Sequence, residues 1–312
     1  MTTPSGRLML LDTASLYFRA FFGVPDSMKA PDGTPVNAVR GLMDFISRLV
    51  GEYDPTHLVC CWDDDWRPQW RVDLIPSYKS HRVVAARPGS TPDVEEVPDP
   101  LETQIPIILS VLEAYGIAVV GHPEMEADDV IGTLATGAGM PVDIVTGDRD
   151  LFQLVDDEAE VRVLYVARGV SKHERVDNAW VRNKYGVDAR QYADLATLRG
   201  DASDGLPGVA GVGDKTAATL LNRFGTIDAV VAAASDPDSD MGPGPRGKIK
   251  EALDYLDVAP EVVAVRRDLD LGSPDTTRPR TPADHDAVMA LDEKWDLGSS
   301  AVRLVQALSG SH

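Results

Sequence analysis

Cysteine, aromatic residues, positive charge and long apolar runs are all scarce in this 312-residue chain. The only two cysteines, Cys60 and Cys61, are adjacent within an apolar run, where neighbouring side chains point to opposite faces and do not pair. Neither they nor the six histidines show ligand spacing. A disulfide scaffold and a zinc module are therefore excluded, and a reducing, cytoplasmic setting is expected. No apolar stretch approaches the roughly 20 residues of a membrane span. The apolar part of Met1 to Leu11 is too short for a secretory signal, so no membrane partner is expected. Lysine and arginine number 30 against 50 acidic residues, a formal charge of −20. That balance excludes a uniformly basic nucleic-acid footprint, so any phosphate contact must come from local patches. Two are visible: Arg67, Arg71, Lys79, Arg82 and Arg87 stand against the single acid Asp73 between Arg67 and Pro88, and Arg246-Gly247-Lys248-Ile249-Lys250 contains no acid. The preference for arginine over lysine is read as a composition bias.

What the chain has in abundance is acid, and nine of these residues fall in pointed places: Asp12, Asp63, Glu126, Asp128, Asp129, Asp148, Asp150, Asp201 and Asp204. Asp12, Asp63 and the Asp148/Asp150 pair directly follow the β-branched or apolar runs Leu8 to Leu11, Leu58 to Trp62 and Val142 to Thr146. Their carboxylates are thus expected at the carboxyl ends of parallel strands, where open α/β sheets place ligands. Two like charges about 4 Å apart repel by roughly 4 kcal/mol at an effective dielectric near 20. A convergent set of this size calls for cations, and hard oxygen ligands select Mg²⁺ or Mn²⁺. Each cluster has an ordinary alternative. Glu126, Asp128 and Asp129 open a helix, where acids commonly cap; the loop acids Asp148, Asp150, Asp201 and Asp204 also suit a solvated turn.

Strand-like and helix-like segments alternate up to about residue 170, the pattern of a mostly parallel sheet covered by helices. Strands are expected over Arg7 to Leu11, His57 to Trp62, Ile117 to Val120, Val142 to Thr146 and Val161 to Val166, with helices around Val36 to Val50, Pro100 to Tyr115 and Ala127 to Thr136. Pro76 to Pro100 is proline-rich and weakly periodic, an excursion from the sheet. From about Val176 onward helical periodicity dominates with no strand signal. The expected division is an α/β core over 1–175, a helical domain over 176–285 and a tail over 286–312 packing on the core.

Within the helical part, Gly208-Val209-Ala210-Gly211-Val212-Gly213-Asp214-Lys215-Thr216 is not a Walker loop, because Asp214 separates Gly213 from Lys215 and a helix precedes it. It reads as a helix-hairpin-helix, in which glycines let backbone amides approach a phosphate and Lys215 adds charge; a plain helix connection is the alternative. Trp62, Trp66 and Trp70 recur every four residues, as a buried stripe or a platform for an unpaired base. Tyr78-Lys79-Ser80-His81-Arg82, one aromatic among cations, is a candidate phosphate clamp.

These motifs resemble, in order, those of the bacterial 5′-3′ exonucleases and flap endonucleases, including the N-terminal nuclease domain of bacterial DNA polymerase I. The resemblance runs through Leu10-Leu11-Asp12, Ser15 to Phe21, Gly33 to Val39, Tyr78 to Arg82, Glu126 to Asp129, Thr146 to Leu151, Gly200 to Val209 and Thr216-Ala217, covering most of residues 7 to 270. Thr13 and Gly205 stand where the family usually has Gly and Asn, and Trp62-Asp63-Asp64-Asp65-Trp66 carries one residue more than the pattern, so the ligand is Asp63, counted from the strand, or Asp64; Asp63 is preferred. The resemblance implies a PIN-like nuclease core, a helical arch near 77–100 and a helix-three-turn-helix module gripping duplex DNA. It implies two or more divalent ions held by the nine acids, and a K⁺ ion is expected at the hairpin. Lys79 and Arg82 are expected to neutralise the scissile phosphate, with Arg19, Arg71, Tyr78, Gly208, Gly211, Gly213, Lys215 and Thr216 contacting DNA and Tyr78 stacking on an unpaired nucleotide. The expected activity is metal-dependent cleavage of DNA at 5′ ends and at duplex/single-strand junctions by a monomer. The competing readings are a ribonuclease on the same acidic core and a catalytically silent junction binder.

Overall fold

The computed structural model describes residues 6–83 and 95–310. The tip of the expected arch, 84–94, lies outside the described residues. Six strands form one sheet in the order β3-β2-β1-β4-β5-β6: β1 Leu8–Asp12, β2 His57–Cys61, β3 Ala118–Val120, β4 Val142–Thr146, β5 Val161–Tyr165 and β6 Glu174–Val176. All neighbours pair parallel except β5 with β6. The antiparallel edge strand β6 falls where no strand was expected; its three residues are too few to show a period of two.

The central strands are mostly apolar because helices cover both faces, with Asp143 of β4 buried in ion pairs with Arg7 and Arg162. Leu8, Leu10, Val59, Cys61, Val142 and Ile144 point into one core, while Met9, Leu11, Leu58, Cys60 and Val145 point into the other. The second core is closed by the helices Asn37–Tyr53 and Ile105–Tyr115 and by the C-terminal pair His285–Trp295 and Ser299–Ser309, which contribute Val288, Ala301, Leu304 and Leu308. The first core runs without interruption from the sheet into the helical half, through Val181, Leu195, Val212, Leu221 and Ile249. The glycine-rich hairpin is therefore fixed relative to the strand ends by shared packing. Among the described residues no helix is long and apolar enough to cross a membrane.

Strand order reverses direction at β1, which sends the chain to β2 on one side and pairs with β4 on the other. The crevice beyond the carboxyl ends of β1, β2 and β4 is thus the topological switch point.

Candidate active site

Asp12 ends β1 and caps the helix Thr13–Gly23 that follows, accepting from the Ser15 amide at 3.1 Å and from Thr146 Oγ1 at 2.6 Å. Asp63 lies two residues beyond β2 and accepts from the Ala127 amide at 2.7 Å. Its neighbour Asp64 turns away against Gly121, where a Cβ would stand 2.6 Å from Asp64 Oδ1. The cleft-facing position is therefore that of Asp63. Asp12, Asp63, Glu126, Asp128 and Asp148 line one cavity of about 250 Å³ together with Lys79 and Arg82.

Asp150, Asp201 and Asp204 continue this acidic surface. The carboxylate of Asp201 is paired with Arg149 at 3.2 Å and with Arg199 at 3.5 Å. Asp204 lies against Arg82 at 3.3 Å, and its carbonyl accepts from the Lys79 amide at 2.9 Å, tying its loop to the Tyr78–Arg82 segment. Two glycines shape this loop, the first of them at that junction. At Gly205, φ +70, a Cβ would stand 2.1 Å from the Ser77 carbonyl oxygen, and at Gly208, φ +66, 2.4 Å from that of Arg199. No side chain, including the asparagine usual in the family, fits the first without a backbone shift.

Burial and mutual repulsion shape the acidity of this set. Burial, with added repulsion from Asp63 and Asp148, pushes Asp12 up to about 7. Burial also raises Asp63 to about 6, with Glu126 contributing, and Asp204 to about 6, with Asp148 and Glu126 contributing. Asp128 and Asp150 are pushed well above the carboxylate range by burial, and each is then raised further by Asp148. Asp201 is the exception: burial is outweighed by hydrogen bonds from Ser203 and the charges of Arg149 and Arg199, which hold it low.

The chemistry of this donor set fits a divalent cation. One carboxylate oxygen, Asp150 Oδ1, is buried without a hydrogen-bond partner, and several neighbours bind protons more tightly than free carboxylates because burial, and then mutual repulsion, disfavours their charged forms. Among the described residues, no three His, Cys, Asp or Glu side chains already stand in a ligating arrangement. Cations within this arrangement include Lys79, 2.5 Å from Glu126 Oε2, Arg71, 3.3 Å from Glu126 Oε1, and Arg82, beside Asp204.

Three expected site residues require correction. Asp129 is fully buried, gripped by Arg71 through two bonds of 2.8 Å and by the Arg266 amide at 2.8 Å, and it accepts from the Glu126 amide at 3.3 Å. With both oxygens occupied it closes the capping box of helix Ala127–Ala135 rather than facing the cleft. Arg71, its partner, is 2% exposed and cannot touch DNA. Tyr78 is 4% exposed, and its hydroxyl donates to Glu126 Oε1 at 2.8 Å, so its ring offers no face to a base. The tryptophans do not form a stripe, since only Gln69–Leu74 of that stretch is α-helical. Trp62 packs near Tyr17, Trp66 lines the cleft, and Trp70 lies between the guanidiniums of Arg71 and Arg266, each 4.5 Å from its ring centre.

The hairpin residues lie on the far arm of the same loop. Gly213 precedes the helix Asp214–Phe224, with Gly211 and Lys215 exposed and Thr216 half-buried. Within the hairpin, where K⁺ was expected, the Gly211 carbonyl accepts from Lys248 Nζ at 2.7 Å. Arg19 stands apart from the hairpin, donating to the Ala167 carbonyl at 3.0 Å beside Gly147. Sequence reasoning did not single out Thr146, Arg149, Arg199 and Glu95, although all four contact or line the acidic surface. Thr146 and Arg149 lie inside the quoted motif. Glu95 is brought in by its bridge to Val83.

An acidic crevice at the switch point of a mostly parallel sheet, continued by a helical module anchored to it, defines a class of proteins rather than one. The N-terminal resolvase-like domain of the 5′-3′ exonucleases matches residues 7–186, and their C-terminal SAM fold matches residues 187–285. A 5′-3′ exonuclease of Streptomyces coelicolor is 60% identical over 301 residues, spanning 96% of this chain and 100% of the relative. DNA polymerase I of Mycobacterium tuberculosis is 38% identical over 313 residues, 97% of this chain but 32% of the polymerase. Bacteriophage T5 flap endonuclease, in a pseudo-enzyme-product complex with DNA and metal ions, shares the fold with a TM-score of 0.62 at 18% identity, covering 97% of this chain and 99% of the phage protein. The chain belongs to the 5′-3′ exonuclease family.

Proposed function

We propose that the chain is a divalent-metal-dependent 5′ nuclease that hydrolyses DNA phosphodiesters at 5′ ends and at 5′-flap junctions. The observation that carries this reading is the meeting of Asp12, Asp63, Glu126, Asp128 and Asp148 in one cavity that Lys79 and Arg82 also line. Asp12, Asp63, Glu126 and Asp128 would hold one Mg²⁺ or Mn²⁺ ion and Asp201 and Asp204 a second, with Asp148 and Asp150 between them. Such ions supply stabilisation of charge on the phosphate and activation of the attacking water. Thr146 and the Ser15 amide fix the Asp12 carboxylate by hydrogen bonds. Lys79 and Arg82, at the foot of the arch, would leave Glu126 and Asp204 for the scissile phosphate and offset charge that grows in the transition state. Duplex DNA would lie along the hairpin, its backbone facing the exposed Lys215 and the amides that open helix Asp214–Phe224.

Support also comes from membership of the 5′-3′ exonuclease family and from the T5 relative that carries DNA and metal ions on the same fold. The test is cleavage of end-labelled 5′-flap DNA, nicked duplex, single-stranded DNA and RNA in Mg²⁺, Mn²⁺ or EDTA, with Asp148→Asn as the control. The proposal expects flap and nicked substrates to be cut in either metal, no cleavage in EDTA, and loss of turnover in the variant. Activity persisting in EDTA or in Asp148→Asn refutes it.

A further inference from the structure

The basic run Arg246-Gly247-Lys248-Ile249-Lys250 does not line the acidic cleft, and its cations face different ways. Arg246 is half-buried and turns inward, donating to the Asp236 carbonyl, to that of Ser239 at 3.0 Å and to that of Met241 at 3.1 Å. It ties down the loop that leads into the helix Pro243–Glu251. Ile249 is fully buried in the same core as Val209 and Val212 of the glycine-rich hairpin, and this packing seats the helix against the hairpin. Lys248 consequently reaches the turn. Its ammonium donates to the Gly211 carbonyl at 2.7 Å, while Lys250 stays exposed.

The turn is shaped to receive that ammonium. Gly211 has φ +71, and a Cβ there would stand 3.0 Å from Lys248 Nζ and 3.3 Å from its Cε, so a side chain at 211 would crowd the lysine out of its seat. Three further oxygens of the turn are already committed. The Val209 carbonyl accepts from the Val212 amide at 2.9 Å, that of Gly213 from the Ala217 amide at 3.0 Å, and the Asp214 carboxylate from Arg199 at 3.2 Å. A K⁺ ion is held by oxygens that replace its water, backbone carbonyls above all. On the Gly211 oxygen it would meet the ammonium at close range, and like charges so near repel. With Lys248 in place the turn does not fit the expected ion.

We propose that the Lys248 ammonium is the hairpin's own cation, taking the place of K⁺ and meeting a duplex phosphate together with Lys215. An ammonium has three donors, of which the Gly211 carbonyl uses one. Lys248 is exposed and makes no ion pair among the described residues, so the other two face outward from the turn unclaimed by a carboxylate. The inference rests on the reading that duplex DNA lies along the hairpin. Its consequence is that duplex binding depends on total salt but not on which monovalent cation supplies it.

The test measures binding of a blunt-ended duplex in EDTA by wild-type protein, Lys215→Ala and Lys248→Ala. It compares KCl with tetramethylammonium chloride at equal ionic strength, the organic cation being too large to sit on a turn carbonyl. Both lysines are exposed, and a thermal melt confirms folding. The wild type is expected to bind equally in the two salts. Lys248→Ala is expected to lose about eightfold in affinity at about 0.1 M tetramethylammonium chloride and to lower the slope of log K against log salt by about 0.9, one phosphate contact on a duplex. In KCl part of that loss should return, because the freed Gly211 carbonyl is open to K⁺. Wild-type binding several-fold tighter in KCl overturns the proposal, since the hairpin would then still take the ion. An equal loss by Lys248→Ala in both salts overturns it too, leaving Lys248 an ordinary phosphate contact. A loss in Lys215→Ala with none in Lys248→Ala sinks this inference and keeps the hairpin reading; no duplex binding by the wild type sinks both.

Discussion

Removing one partner of the Arg71–Asp129 pair separates a structural acid from a metal-binding one. Both side chains are essentially excluded from water, at 2% and 0% exposure, and they are joined by two bonds of 2.8 Å. Although burial acts to lower it, Glu126 and Asp129 hold the Arg71 guanidinium above its ordinary acidity range. Arg71→Ala leaves Asp129 charged and half-satisfied in the interior, a change that costs roughly 3 to 5 kcal/mol. At about 2.1 cal/mol/K per residue, 312 residues unfold with an entropy of about 0.66 kcal/mol/K, so the melting temperature should fall by about 5 to 8 °C. Asp129→Asn should fall in the same direction, because an amide cannot accept on both sides from a guanidinium fork. The assay is thermal unfolding with and without Mg²⁺, paired with calorimetric titration of Mg²⁺ at a temperature where each variant is folded. Asp129→Asn should keep near wild-type Mg²⁺ affinity per folded molecule. A variant that melts like the wild type but no longer binds Mg²⁺ would refute the structural role and return Asp129 to the ligand set.

Tyr78→Phe removes the hydroxyl that donates to Glu126; single-turnover rates should drop equally on fully paired and frayed 5′ ends, and a loss confined to paired ends would restore a stacking role. Lys215→Ala should weaken binding to every duplex-bearing substrate regardless of sequence and reduce the salt slope of log K by about 0.9; unchanged slopes would make the hairpin a mere helix connection. The acidic cleft also predicts how stability depends on pH in EDTA. Folded-state acidities near 7 for Asp12 and near 6 for Asp63 and Asp204 lie above those of the unfolded chain, so the stabilisation these groups contribute is complete below about pH 4 and is lost as pH rises through 6 to 7. Melting temperature should therefore fall from pH 5 to 8 in EDTA and fall less in Mg²⁺; a flat or rising profile in EDTA would contradict it.

The sheet was legible because its central strands are buried on both faces. Val142, Ile144 and Val145 mark the run from Val142 to Thr146, and the strand β4 spans those same residues. Short or edge elements left weaker traces. Glu174–Val176 is too short to show alternation, and Pro100 to Tyr115, expected as one helix, breaks into Asp99–Glu102 and Ile105–Tyr115 because the Thr103–Gln104 corner turns the chain. The Gln104 amide explains that corner: its oxygen accepts from the Ala38 amide at 2.8 Å and its nitrogen donates to Asn37 at 3.0 Å, contacts some 66 residues away that no local pattern reveals.

The site divides along a different line. A motif fixes where on the fold a residue lies, but not whether its charge meets solvent, a ligand or another motif. Asp128 and Asp129 are neighbours on one helix turn, yet the helix sends the first into the cleft and the second inward to Arg71, 58 residues earlier in the chain. Arg71 and Tyr78, read as DNA contacts because a basic, aromatic stretch suits phosphate, instead converge with Lys79 on Glu126. In an acidic chain the first partners available to a local cation are its own carboxylates. Among the described residues, no aspartate or glutamate holds the exposed cations Arg48, Arg168 and Lys215, and there an external phosphate meets the least competition.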